Sequence, residues 1–166
     1  MKKIKGFTLI EVIVYIAIMS TIVIALSSLF SVLLQTRVRN QTVTEVDQVG
    51  VNLMQKITQT IKNSSGINSP AKGTSSSILS LSNAVSSINP TVFSLNANNI
   101  LITEGVNSSV ILNSNTISIS SLTFQNVSGT SNLGNIKITF IINYITNSNR
   151  EEFNYSQTFN GTATIR

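Results

Sequence analysis

KKIKGFTLIEVIVYIAI, residues 2–18, decides how the rest of the chain is read. Lys2, Lys3 and Lys5 stand directly before Gly6 and Phe7. One carboxylate, Glu11, follows, and then no charged residue occurs from Val12 to Thr36. That run, VIVYIAIMSTIVIALSSLFSVLLQT, is rich in Ile, Val and Leu. About 20 apolar residues in helical form cross a bilayer core, so the run is long enough to do so. The three lysines set its amino end on the cytoplasmic side. Arg37 and Arg39 stand at the far end and are outnumbered.

Two plain readings compete for this segment. One is an ordinary secretory signal peptide, with small residues Ala25 and Ser27 as a cleavage site. The other is a simple single-pass anchor. Neither explains Glu11, because a carboxylate opening a membrane segment is unfavourable and calls for a partner.

The same residues resemble the class III signal of type IV pilins and type II secretion pseudopilins. In that family a short basic leader ends in Gly, and prepilin peptidase cuts after it on the cytoplasmic side. The new first residue, usually Phe, is N-methylated, and the fifth residue of the mature chain is Glu. The resemblance puts the cut between Gly6 and Phe7, the methyl group on Phe7, and the assembly carboxylate at Glu11. Thr8, Leu9 and Ile10 also follow the common pattern. Gly6 has no side chain to hinder approach of the peptidase to its backbone. Cleavage would free an α-amine on Phe7, largely cationic at neutral pH because such amines have a reference pKa near 8. The resemblance implies that Glu11 pairs with the Phe7 amine of a neighbouring subunit. In a low-dielectric filament core such a pair offsets two desolvation costs and selects one register.

Composition fits this reading. The formal charge of +5 is largely a leader property, since three of eleven basic residues lie in the first five positions. Without residues 1–6, eight basic and six acidic side chains remain, a balance of +2. Lys and Arg cluster nowhere else, so no nucleic-acid-binding patch is evident. The 166 residues suit one globular domain with an appendage. The chain has no Cys and no His, which removes disulfides, thiolate chemistry and the commonest general base. Only 10% of residues are charged, while Asn, Ser and Thr abound, as suits a surface-exposed module.

The helical pattern continues beyond the membrane run. Val43, Val46, Val49, Leu53, Met54, Ile57 and Ile61 recur at steps of three and four and mark one face. Glu45, Asp47, Gln48, Asn52, Gln55, Lys56, Gln59 and Lys62 fill the others. The spacing predicts one helix from about Thr8 to about Lys62, with an amphipathic second half packed on a sheet of the same chain. Asn63-Ser64-Ser65-Gly66 is the stop signal, followed by Ser69-Pro70. Gly50 interrupts the helix at a cost of about 1 kcal/mol against Ala, and marks either close packing on a strand or a bend. Ser27 and Ser28 are the nearest candidates for a local distortion in the membrane run.

After Pro70 the period changes. Lys72 to Ser77 reads as a polar loop. Short β runs follow at 78–81, 92–95, 100–103 and 110–112. Ile117 and Ile119, then Leu122 and Phe124 after a phase slip, predict a strand with a bulge. Residues 135–145 are the clearest strand, with Ile136, Ile138, Phe140, Ile142 and Tyr144 alternating. Residues 152–159 are expected to return as its hairpin partner through a turn at Asn147-Ser148-Asn149. A last short strand is expected at 162–166. Tyr144, Phe153, Tyr155 and Phe159 read as sheet core rather than a ligand platform.

The expected fold is therefore α+β and pilin-like: one long N-terminal helix on a C-terminal, mostly antiparallel β domain. Its parts are a leader at 1–6, a transmembrane and filament-core helix at 7–36, its amphipathic continuation at 37–63, and a β head at 64–166. Seven or eight strands resemble the larger minor pilins and J-type or W-type pseudopilins, as does the junction VDQVGVNLMQKITQTIKNSSGINSP. The resemblance implies a structural subunit, of the minor class, of a type IV pilus or pseudopilus and no enzyme activity. It also implies the partners: prepilin peptidase/N-methyltransferase, other pilins or pseudopilins through the helix, an inner-membrane assembly platform, and lipid before assembly. Two alternatives stay open at this point. One is a membrane-anchored or tip adhesin with a binding head. The other is a secreted enzyme, for which no Ser/Lys or carboxylate constellation is visible. No cofactor or metal is expected, because Glu104, Glu151 and Glu152 supply too few carboxylates for calcium.

Overall fold

Leu9 to Asn63 form one uninterrupted helix, α1, of 55 residues. The structure is a computed structural model, and it describes residues 6, 8–129, 134–145 and 153–165. Two compact units divide the chain, residues 1–40 and 41–166, and α1 contributes to both. No distortion arises at Ser27 or Ser28. Their hydroxyls donate to Val23 O and Ala25 O at 2.8 Å, inside the helix itself. The stop falls where the sequence expects it. Ser64 turns both its N–H (3.2 Å) and its hydroxyl (2.7 Å) onto Ile61 O, satisfying a carbonyl that the ending helix leaves free.

In the second unit α1 buries Thr42, Val46, Gly50, Leu53, Ile57 and Ile61, with Val49 and Met54 packed at the margin. The helical spacing had picked out this face apart from Thr42 and Gly50, and it over-weighted Val43, which is only half-buried.

Among the described residues, the rest of that unit forms nine strands in two sheets, with a 3-10 turn at Ser86–Ile88 between the third and fourth strands. The strands are β1 (Gly66–Ser69), β2 (Ser75–Ser76), β3 (Leu79–Ser82), β4 (Thr91–Asn96), β5 (Asn99–Glu104), β6 (Val110–Ile111), β7 (Ile117–Asn126), β8 (Asn135–Tyr144) and β9 (Ser156–Thr164). The first sheet runs β1-β3-β4-β5-β6 and the second β2-β7-β8-β9, all pairs antiparallel. The α+β layout is as expected. The division into two sheets is not something the strand pattern had shown.

The bulge in β7 is real. The β7–β8 register shifts between Ile119 and Ser121. Ile117 and Ile119 before it, and Leu122 and Phe124 after it, all point into the core. An extra residue in one strand flips the alternation, so the phase slip keeps four apolar side chains on one face.

Three expectations need correction. β1 starts directly after the helix, where only a stop signal was read, because Ser65 N–H already bonds Ser82 O at 2.8 Å. The loop at 72–77 contains β2, whose two serines pair with Gln125 and Phe124. The strands expected at 152–159 and 162–166 are one strand, β9, with Gly161 in its middle rather than at a break. Glu151, Glu152 and Arg166 lie outside the described residues, as does the expected turn at Asn147-Ser148-Asn149.

The core is formed by the two sheets and the second half of α1. Leu79, Leu81, Phe93, Ile100 and Ile102 come from the first sheet, and Ile136, Ile138, Phe140 and Ile142 from the second. Phe93 and Phe124 meet between sheets with ring centres 6.5 Å apart. Of the aromatic set read as core, Tyr144, Tyr155 and Phe159 pack against it. Phe159 stacks on Phe140 at 5.3 Å, and Phe153 stacks on Tyr144 at 6.2 Å.

Two asparagines join elements that apolar packing alone would not align. Asn113, nearly buried, accepts from Ile100 N–H at 2.9 Å and donates to Ile117 O at 2.9 Å, linking β5 to β7 across the sheets. Asn126 donates to Pro70 O at 2.8 Å and ties β7 to the segment after β1. Such groups, once buried, destabilise unless paired.

β4 and β5 are joined by a two-residue loop, Ala97-Asn98, closed by the pair Asn96 and Asn99. Both loop residues have positive φ, 45° and 65°, the backbone of the hairpin turn that matches strand twist. Asn tolerates this region, whereas the Ala methyl is strained in it. Ala97→Gly is therefore expected to stabilise the protein by about 0.5–1 kcal/mol, raising Tm by a few degrees. An unchanged or lower melting temperature would count against a left-handed Ala97.

Candidate functional site

The amino end of α1 is built by three residues. Thr8 is the last non-helical residue, and its carbonyl accepts from Glu11 N–H at 3.1 Å and Val12 N–H at 3.3 Å. The Glu11 carboxylate turns back to accept from Thr8 N–H at 3.4 Å, a long bond. Thr8-Leu9-Ile10-Glu11 thus has the spacing of a capping box, in which the third helical residue satisfies the N–H of the cap. The carboxylate also sits at the positive end of the helix dipole. The motif was legible as Thr-x-x-Glu, but the stronger membrane and charge signals drew attention away from it. Gly6 is exposed, and a Cβ there would meet nothing within 4 Å. Phe7, Lys2, Lys3 and Lys5 lie outside the described residues, so the geometry of the Gly6–Phe7 junction is not on view.

Beyond Glu11 the helix surface is apolar all round. It includes a stretch long and apolar enough to cross a membrane, none of it buried within the chain. Leu9, Ile16, Met19, Ile24, Phe30 and Leu33 are among the exposed side chains. The hydroxyls in this stretch do not spoil that surface. Ser20, Thr21, Ser31 and Thr36 donate to carbonyls three or four residues back, at 2.7–3.1 Å. A polar group in an apolar medium is costly unless satisfied, and these are satisfied without leaving the helix. Such a helix has nothing to offer water. It suits lipid, or the flank of another apolar helix.

The described residues of the second unit show no comparable apolar stretch. Among the described residues no group of three acidic, His or Cys side chains could hold a metal. A pocket of about 210 Å³ beside Pro70, Lys72, Asn126, Ser128 and Ile165 contains one cation, and the Lys72 ammonium reaches Gly129 O only at 3.5 Å. Glu104 closes β5 in a surface turn. The sequence-picked residues that are described, Gly6 and Glu11, both lie at the amino end of α1.

The family model for the prokaryotic N-terminal methylation motif matches residues 1–34. The match covers the lysine cluster, the Gly6–Phe7 junction, Glu11 and most of the apolar helix. No curated protein matches the chain. No solved structure matches it either.

Proposed function

We propose, on the premise that this chain is a type IV pilin-like prepilin, that it serves as a structural subunit, of the minor class, in a type IV pilus or pseudopilus. The class III signal implies processing by prepilin peptidase and assembly with other pilins. In this reading residues 1–6 are a leader left in the cytoplasm, and residues 7–36 hold the chain in the membrane until assembly. Residues 37–63 dock the helix on the head, and residues 64–166 are the head, outside the cytoplasmic membrane. Peptidase cuts after Gly6 and the same enzyme methylates Phe7. Glu11 then pairs with the Phe7 amine of a neighbour as the helix passes from lipid to filament.

The observation that carries this reading is the apolar helix that the methylation motif opens. α1 is unbroken, its amino-terminal apolar stretch is wholly exposed, and the hydroxyls of that stretch are bonded internally. A surface of that kind is stable only against lipid or other apolar helices. Transfer between those two media exchanges one apolar contact for another, with little change in hydrophobic burial. Register in the filament must therefore come from polar terms, and Glu11 is the one acidic side chain in the apolar half.

Mass spectrometry of the mature protein tests this directly. The expected first residue is N-methyl-Phe7. A chain that begins near Ser28 would make residues 1–27 a conventional signal peptide and overturn the proposal. An intact Met1 would reduce the segment to a plain anchor.

A further inference from the structure

The four-stranded sheet ends on β9, and no described strand pairs with its outer edge. Tyr144 N–H donates to Tyr155 O at 3.0 Å, and Ile165 N–H donates to Gly134 O at 2.9 Å. The β8–β9 register runs between these bonds without a shift. Hydrogen-bonded and non-bonded pairs alternate along an antiparallel ladder. The odd-numbered residues of β9 are therefore bonded to β8. Ser156, Thr158, Asn160, Thr162 and Thr164 aim their N–H and C=O groups away from the sheet. All five are exposed, and no described residue meets those backbone groups. β9 is nine residues long and holds no charge, no Pro and no bulge. Edges of this kind are usually blunted by one of those devices, because an open regular edge is a template for another strand.

We propose that β9 is a strand-addition edge, and that its occupant is an extended, uncharged, hydroxyl- and amide-rich segment of a different protein. Backbone pairing would supply the attraction, as in other cases of strand addition. The side chains flanking the edge are Ser, Thr and Asn, so cross-strand hydroxyl and amide pairs would select the sequence.

Geometry argues against a second copy of this chain. Its other sheet edges, β1, β2 and β6, are four, two and two residues long and cannot match nine. Pairing β9 with β9 about a two-fold normal to the sheet would centre on Asn160 and set the strands about 4.8 Å apart. Gly50 abuts the Phe159 ring and Met54 covers Gly161, so α1 lies over β9. Two copies of α1 would then stand near strand spacing, whereas packed helices need about 8–10 Å. A two-fold along the strand fails differently. It sets each outward residue opposite its own copy, while a parallel ladder bonds an outward residue to the two neighbours of the one it faces. A foreign strand without a helix on that face meets neither obstacle.

Residue-resolved amide hydrogen exchange tests the inference on the full chain, both purified in detergent and in envelopes of the cells that produce it. The readout does not depend on whether filaments form, so it stands apart from the subunit role. In the purified chain the five even-numbered amides should exchange at least about tenfold faster than the odd-numbered ones. In envelopes the even-numbered amides should slow by at least about tenfold. The double variant Thr158→Pro, Thr162→Pro removes two outward donors and leaves the β8 ladder whole. It should abolish the slowing at Asn160 while β8 amides stay protected. Even-numbered amides equally fast in both settings would show an unoccupied edge and overturn the proposal. Protection already present in dilute purified chain would show that the chain covers its own edge. Protection that grows with concentration, together with a dimer, would make a second copy the occupant. Either result also overturns it.

Discussion

Replacing Gly50 with leucine is expected to destabilise the second unit by about 3 kcal/mol, the upper part of the range for overpacked cores. Gly50 is fully buried on α1, and a Cβ at that position would fall 2.0 Å from Cζ of Phe159. The ring cannot simply retreat, because it stacks on Phe140 at 5.3 Å. Even Gly50→Ala brings in that first carbon, and its helix-propensity gain of about 1 kcal/mol only partly offsets the clash. Full-length protein in detergent, unfolded thermally and followed by near-ultraviolet circular dichroism, should show Gly50→Leu melting about 10 °C lower. Phe159→Leu should destabilise the parent by opening a cavity yet rescue part of the Gly50→Ala loss, so the pair is non-additive. Additive losses, or a Gly50→Leu protein as stable as the parent, would mean that the helix does not approach β9 at this point.

Substitution of Glu11 should act at the other end of the chain and on assembly rather than folding. Glu11 has two roles to separate: it caps its own helix through Thr8, and in the proposed function it pairs with the amine of a neighbour. Glutamine keeps the capping box, since Gln serves in that position as Glu does, but it removes the charge. Glu11→Gln and Glu11→Ala should both leave membrane insertion intact, because the apolar run from Val12 to Thr36 is unchanged. Both should reduce incorporation into filaments by well over about tenfold, as expected when one partner of a charge pair is lost in a low-dielectric core. The readout is the amount of chain in sheared filaments against the amount in membranes. If Gln supports normal incorporation and Ala does not, capping is the whole role of Glu11. If both assemble normally, the carboxylate has no part in assembly.

The β unit explains why its own details were hard to read. β8 was legible because its four buried residues alternate without interruption, and the bulge in β7 was legible because four apolar residues changed phase once. β1 and β2 were not, because their side chains are mostly Ser, Asn and Gly, and backbone pairing rather than apolar burial holds them. β9 was split in two because Gly161 and Gln157 look like interruptions. Gly161 leaves room for the Met54 side chain, whose sulfur would lie 2.5 Å from a Cβ there. Asn113 and Asn126 were lost in a composition full of asparagine, and only their burial and partners single them out.

The sequence by itself carried the resemblance to prepilins and named the candidate residues of the amino end. A lysine cluster, Gly6–Phe7, Glu11 and an uncharged apolar run are local features, contained within residues 2–36 and recognisable without a fold. The methylation-motif match ends at residue 34, within that same segment. Tertiary structure decided what local pattern does not hold. It divided the strands into two sheets, resolved Gly50 as close packing rather than a bend, and left β9 at an edge that no described strand covers. Each of these depends on which strand or side chain stands across from which. Such pairings join residues as far apart as Gly50 and Phe159, and no periodicity along the chain encodes them.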